Sequence, residues 1–199
     1  MNGAQVEALR SLLASTAWCE RTRQFAAAIR GRVRTNSGLL IVGTPSYEPW
    51  HMTAHLADES RAAGLPELLP TLVRWAPPPD APRHLSVGID RLRQAGRSEA
   101  VLVVSAGGAP VPLLERVADA RRAGAGVFAL DQGEDPELNG LAHEVLAIVP
   151  AQVPVSFDGA QHLVSAAIGD HAGESPARGP VMRRQLARFL DAISGPQPG

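Results

Sequence analysis

The sequence predicts a three-layer α/β/α domain around a five-stranded parallel sheet, and three observations carry that reading. Short apolar runs, above all Leu39-Leu40-Ile41-Val42 and Ala100-Val101-Leu102-Val103-Val104, lack the alternation of a half-exposed strand. They read as strands buried on both faces, the mark of a parallel sheet. Segments with helically spaced apolar residues separate these runs, so strand and helix alternate along the chain. The length of 199 residues, 45% apolar and 20% charged, suits one domain with a full core.

The elements follow in order. Val6, Leu9, Leu13 and Ala17 share a helical face, which Phe25, Ile29 and Val33 continue beyond Cys19. This is two N-terminal helices, or one broken near Trp18. Asn36-Ser37-Gly38 is a turn before the Leu39–Val42 strand. A loop over Gly43–Pro49 leads to a helix from Trp50 to Ala63, with Gly64 as its C-cap. Leu72–Trp75 is a weaker strand, and Ala76–Pro82 a proline-rich loop. Leu85, Ile89 and Leu92 predict a helix ending near Gly96. The Ala100–Val104 strand is followed by a Gly107-Gly108 loop and a helix through Leu113, Leu114, Val117 and Ala120 that stops at Gly124. Gly126–Leu130 is a strand, Leu138–Ala142 a short helix and Val145–Val149 the last strand. Helices over Phe157–Ile168 and Val181–Ile193 complete a single domain at 1–194, with a disordered tail at 195–199.

Composition removes several functions. The net charge is -1, which gives no reason to expect nucleic-acid binding. All 19 basic side chains are arginine, so a Walker A phosphate loop and a Schiff-base lysine are both excluded. No G-x-G-x-x-G follows the first strand, which argues against a dinucleotide site. The single cysteine, Cys19, has no internal disulfide partner. Met1–Ala17 lacks the apolar core of a signal peptide, and no apolar run is long enough to span a bilayer. The expectation is a cytoplasmic protein with no membrane partner.

In such sheets ligands bind at the carboxyl ends of the strands, near the switch in strand order. Two loops there carry hydroxyls or spare amides just before a helix: Gly43-Thr44-Pro45-Ser46-Tyr47 and Ser105-Ala106-Gly107-Gly108. Both are suited to an anion, and both are also ordinary helix-capping sequences.

From about residue 5 to 170, the order of elements resembles the sugar isomerase (SIS) family, a flavodoxin-like fold. The resemblance runs through Leu39–Gly43, Val101–Gly108, Val127–Leu130 and Leu141-Ala142-His143-Glu144-Val145-Leu146, with His143 where the family has Asp. Thr53-Ala54-His55-Leu56-Ala57-Asp58-Glu59-Ser60 is similar to a segment of the phosphoheptose isomerases. His55 and Glu59, four apart, share one helical face. The resemblance implies that Glu59 is the acid/base moving a proton between adjacent sugar carbons, with His162 as its partner. It implies a sugar phosphate as ligand, held by Thr44, Ser46, Ser105, Gly107 and Gly108. Some members bind zinc through these helices, and the corresponding ligand set here is His55, Glu59, Asp158 and His162. The family pattern in the later helix is a Gln and a His eight apart, which Asp158-Gly159-Ala160-Gln161-His162 matches in part. His51, four before His55, reads as a surface or interface residue, and Tyr47 and Trp50 as packing residues.

The departures from the family concern phosphate. The first loop has Thr44-Pro45-Ser46 where the family has glycines, and the second keeps only the Ser105 hydroxyl. Two functions follow: an aldose–ketose isomerase, or a non-catalytic SIS module that binds a phosphosugar or a regulatory partner. The resemblance also implies a homodimer or homotetramer. The Val6, Leu9 and Leu13 face lies outside the sheet layers and needs a cover, so it is expected to pack against a second subunit.

Overall fold

The structure, a computed structural model, describes residues 17–36, 38–133, 135–149 and 156–169. Strands β1 (Leu39–Val42), β2 (Pro70–Val73), β3 (Ala100–Ser105), β4 (Gly126–Asp131) and β5 (Glu144–Ala147) form one sheet in the order β2-β1-β3-β4-β5. Every pairing is parallel. The chain steps from β1 outward to β2 and then crosses to β3 on the other side. The loops leaving β1 and β3 therefore sit side by side at the switch point.

Alternate side chains of each strand face opposite layers. Leu39, Ile41, Leu102, Val104, Phe128 and Leu130 meet α1 (Ala17–Arg32), α2 (Trp50–Ala63) and α5 (Phe157–Gly169). Leu40, Val42, Val101, Val103, Val127 and Ala129 meet α3 (Val111–Arg122), α4 (Pro136–Leu141) and a 3-10 segment, Ile89–Gln94. Burial on both faces is why these strands are unbroken apolar runs. The three-layer α/β/α architecture with a five-stranded parallel sheet is thus as the sequence indicated. Among the described residues, no helix is long and apolar enough to cross a membrane.

The differences are local. The expected helix through Leu85, Ile89 and Leu92 is two 3-10 segments, Arg83–Leu85 and Ile89–Gln94. Gly88 between them is extended, and the Arg74 amide donates to the Val87 carbonyl at 2.8 Å, so this stretch runs beside the end of β2 instead of coiling. Strand β2 begins two residues earlier than expected, at Pro70. The missing N–H of Pro70 is tolerated because β2 is an edge strand. Trp75 leaves the strand and donates its indole N–H to the Gly43 carbonyl at 2.9 Å. Helix α4 starts at Pro136 because Asp135 caps it, accepting from the Leu138 amide at 2.9 Å. Helix α1 is described from Ala17, so the expected break near Trp18 borders residues outside the described ones, and Gly64 caps α2 with φ 69°. The Val6–Leu13 face, the Val181–Ile193 helix and the tail at 195–199 lie outside the described residues.

The α1/α2/α5 layer is pinned by Phe128, 1% exposed, whose ring meets Phe25 edge-on with centroids 5.9 Å apart. Phe128→Ala is expected to lower unfolding free energy by about 3–5 kcal/mol in urea titrations. A loss well under 1 kcal/mol would contradict this packing.

Candidate functional site

The loop after β1 is built around a close approach that only glycine permits. A Cβ on Gly43 would lie 1.9 Å from the Tyr47 carbonyl oxygen. The loop closes through Thr44 N–H to Tyr47 O at 3.0 Å and Tyr47 N–H to Thr44 O at 3.1 Å. This sets the Thr44 and Ser46 hydroxyls 3.2 Å apart. It also aims Tyr47 at the start of α5. The phenol donates to Asp158 Oδ1 at 3.1 Å and accepts from Gln161 Nε2 at 2.7 Å. Burial pushes the Tyr47 pKa up; the Gln161 amide opposes the rise and the Asp158 charge adds to it.

Beside this contact, three imidazoles converge. His51 and His55 stand one turn apart on α2, and His162 comes from α5. Ring centroids are 4.6 Å apart for His51–His55, 4.4 Å for His51–His162 and 4.2 Å for His55–His162. The Nε2 atoms of His51 and His55 are 2.9 Å apart, and one ring nitrogen from each of the three lies within 4.8 Å of the others. Burial lowers the His162 pKa to about 4, helped by the charges of His55 and His51 and opposed by Asp158. Burial also lowers His55, with His51 acting the same way. Both shifts favour the uncharged ring.

The metal set implied by the sequence, His55, Glu59, Asp158 and His162, is not the group that converges. The two carboxylates lie outside it and His51 stands in their place. His51 is exposed, as a surface residue should be, and is at the same time the third ring. Asp158 lies one turn before His162 and is engaged with Tyr47 and Gln161. Glu59 is one turn beyond His55, against Gly169: a Cβ there would lie 2.7 Å from Glu59 Cβ. The three nitrogen donors suit zinc, and His51, His55 and His162 are the residues that would hold it.

On the far side of the switch point, Ser105 ends β3 and is 1% exposed, and its Oγ has no hydrogen-bond partner among the described residues. Its register partner on β4 is Asp131, also 1% exposed, with Oδ2 unpartnered and Oδ1 accepting from Gly133 N–H at 2.8 Å. Burial raises the Asp131 pKa; Gly133 and Asn139 hydrogen bonds oppose it, and the Asp135 charge adds to it. Asp135 accepts the Ala109 amide at 2.5 Å. Helix α3 begins behind Pro110 with no side-chain cap, and Pro112 removes another N–H. The second loop, expected to receive an anion through Ser105, Gly107 and Gly108, thus already has two carboxylates beside it. The sequence reading missed both. Asp135-Pro136 was legible as a helix cap, whereas nothing local marked Asp131 as buried.

No protein-family model and no curated protein matches this chain. Solved structures do. One, described as a "putative phosphosugar isomerase" from Salmonella typhimurium LT2, superposes with TM-score 0.58 at 15% identity, over 90% of this chain and 51% of that one. A "putative sugar binding protein" from the same organism gives TM-score 0.53 at 16% identity, over 95% and 55%. A "putative phosphosugar isomerase" from Silicibacter pomeroyi DSS-3 gives TM-score 0.51 at 18% identity, over 92% and 53%. The chain spans about half the length of these structures. At such identities the likeness is one of fold alone, a three-layer α/β/α fold shared with structures described as a "putative phosphosugar isomerase" and a "putative sugar binding protein".

Asp131 supplies the test of this electrostatic description. A carboxyl whose folded pKa is raised costs stability as pH climbs from the ordinary carboxylate range through the raised value. Asp131→Asn keeps an acceptor for Gly133 and offers a donor near Ser105. It is expected to stabilise the chain by about 1 kcal/mol at alkaline pH, with the gain fading in acid. Destabilisation at alkaline pH would show that the fold needs the charge.

Proposed function

We propose that this chain binds a phosphorylated sugar across the carboxyl ends of β1 and β3. The observation that carries the reading is the Ser105 hydroxyl, buried at the end of β3 and without a hydrogen-bond partner among the described residues, across the switch point from the Thr44–Ser46 hydroxyl pair. A buried polar atom left without a partner costs about 1–3 kcal/mol, which a ligand oxygen would relieve. Thr44, Ser46, Ser105 and the amides of Gly107 and Gly108 would hold the anionic end. Asp131 weakens that hold, so affinity for a phosphate dianion is modest. The solved structures of the same fold include proteins described as phosphosugar isomerases and as a sugar binding protein, in keeping with this ligand class.

Aldose–ketose isomerisation of the bound sugar is the second reading. It is favoured by the presence of Glu59, His55 and His162 along one helix seam. In that reading Glu59 moves the proton between adjacent carbons and His162 serves the carbonyl oxygen.

The test is calorimetric titration of a panel of sugar phosphates and their unphosphorylated parents into metal-free protein. Phosphosugars are expected to bind and the parents not. Ser105→Ala should weaken binding by at least about tenfold, since a hydrogen bond to a charged group contributes roughly 1.5–3 kcal/mol. Equal affinity of Ser105→Ala and wild type, or no binding by any phosphosugar, would overturn the proposal. Isomerase turnover that disappears in Glu59→Gln while binding persists would establish the second reading.

A further inference from the structure

Ser105 and Asp131 end β3 and β4 as register partners, so their side chains leave the sheet on the same face. They follow Val101, Val103, Val127 and Ala129 toward the α3/α4 layer. Both are buried, and Ser105 Oγ and Asp131 Oδ2 each lack a hydrogen-bond partner among the described residues. The two neighbours are therefore not bonded to each other. We infer that Asp131 is a further ligand-binding residue of this site: as the neutral acid it donates its Oδ2–H, beside the Ser105 hydroxyl, to an oxygen of the bound phosphate, so that binding takes up a proton from solvent. The inference rests on the phosphorylated-sugar reading of the same site.

Asp135 does not fill this role. Its Oδ1 accepts the Leu138 amide and its Oδ2 the Ala109 amide, so both oxygens are committed as acceptors. Asp131 commits only Oδ1, to the Gly133 N–H. A charged Oδ2 would face the oxygens of the ligand's phosphate, and like charges repel strongly where water is excluded. A carboxylic acid there replaces the repulsion with a hydrogen bond to a charged acceptor. One anionic oxygen accepting from both Ser105 and Asp131 satisfies two buried atoms together.

The surroundings favour the protonated form. Asp131 is faced from β3 by Ser105, from β5 by Ala147, and from α4 by Asp135 and Asn139. Helix α3 opens with Val111-Pro112-Leu113-Leu114, and its first charged residue, Glu115, is exposed. Burial raises the Asp131 pKa; the Gly133 and Asn139 hydrogen bonds oppose the rise, and the Asp135 charge adds to it. A bound anion raises it further, the reciprocal of proton-assisted binding. Affinity is therefore highest below the raised pKa and falls as pH climbs through it. Apparent affinity scales with the competent fraction, so the loss approaches about tenfold per pH unit once Asp131 is ionised.

The probe is inorganic sulfate, a tetrahedral dianion whose own charge does not change between about pH 5 and about pH 8, the range over which a raised carboxyl titrates. It is titrated into the full chain at both ends of that range, followed by NMR through the Gly107 and Gly108 amides and the Asp131 carboxyl carbon. Sulfate is expected to bind at least about tenfold more tightly at the lower pH, and the Asp131 pKa to rise on saturation. Asp131→Asn carries a permanent donor and should bind with nearly the same affinity at both pH values. Protonation of histidines would instead leave the pH dependence intact in that variant. If Asp131→Asn does not fold, the wild-type carboxyl signal decides alone, and an Asp131 pKa unmoved by sulfate overturns the inference. So does absence of sulfate binding, equal or tighter binding at the higher pH, or undiminished pH dependence in Asp131→Asn. These outcomes leave phosphosugar binding to its own calorimetric test, whereas no phosphosugar binding at any pH removes both.

Discussion

The close approach of α2 to α5 is the constraint on which the site depends. At Gly169 a methyl group would lie 2.7 Å from Glu59 Cβ and 3.5 Å from the Glu59 carbonyl carbon, so the helices meet there at a distance only glycine allows. From that contact toward the start of both helices the seam stays narrow enough for His162 to reach His51 and His55. Further on, Gln161 and Asp158 reach Tyr47. Arg30 of α1 holds the far end by donating to the carbonyls of Ala167 and Ile168 at the close of α5. Charge near those final carbonyls also suits the negative end of the helix dipole. Loop, imidazoles and glycine are therefore one structural unit rather than three neighbouring features.

The two sides of the sheet edge differ in electrical character. The α2/α5 side presents imidazole nitrogens, and burial lowers the pKa of His162 and of His55 there. The β3/β4 side presents buried oxygen: Ser105, Asp131 and Asp135. Asp135 already serves two backbone amides, at Ala109 and Leu138, and so acts as the built-in anion of its loop. Burial raises the pKa of Asp131, and the Asp135 charge adds to the rise. A ligand lying across the switch point would meet hydroxyls near β1 and a carboxyl near β4, so its orientation follows from where its own negative charge lies.

The sequence made the sheet legible because burial on both faces writes itself as uninterrupted Val, Leu and Ile. The helix through Leu85, Ile89 and Leu92 was not legible. Its spacing is helical, and only the pairing of Arg74 with Val87 makes Gly88 extended. His55 and His162 were found through a resemblance to a family motif. Four-residue spacing put His51 on their face, but spacing along one helix says nothing about what the opposite helix brings. Glu59 and Asp158 obey the same spacing and are carried one turn away on either side, which only the offset between α2 and α5 decides. Asp131 was hidden for the opposite reason. An Asp at a strand end usually faces water, and its burial arises from α3 and α4 closing over the strand end.

The central claim is that three imidazoles are packed together across the α2–α5 seam, and histidine-ring NMR reads it directly. In metal-free protein, the pH titration of the ring nitrogen shifts should give His162 a pKa of about 4. In Gly169→Val, where the added side chain forces the helices apart, it should move back toward the ordinary value for histidine. A wild-type His162 that titrates at the ordinary value of 6.5 would mean that the rings do not converge, and would contradict the account.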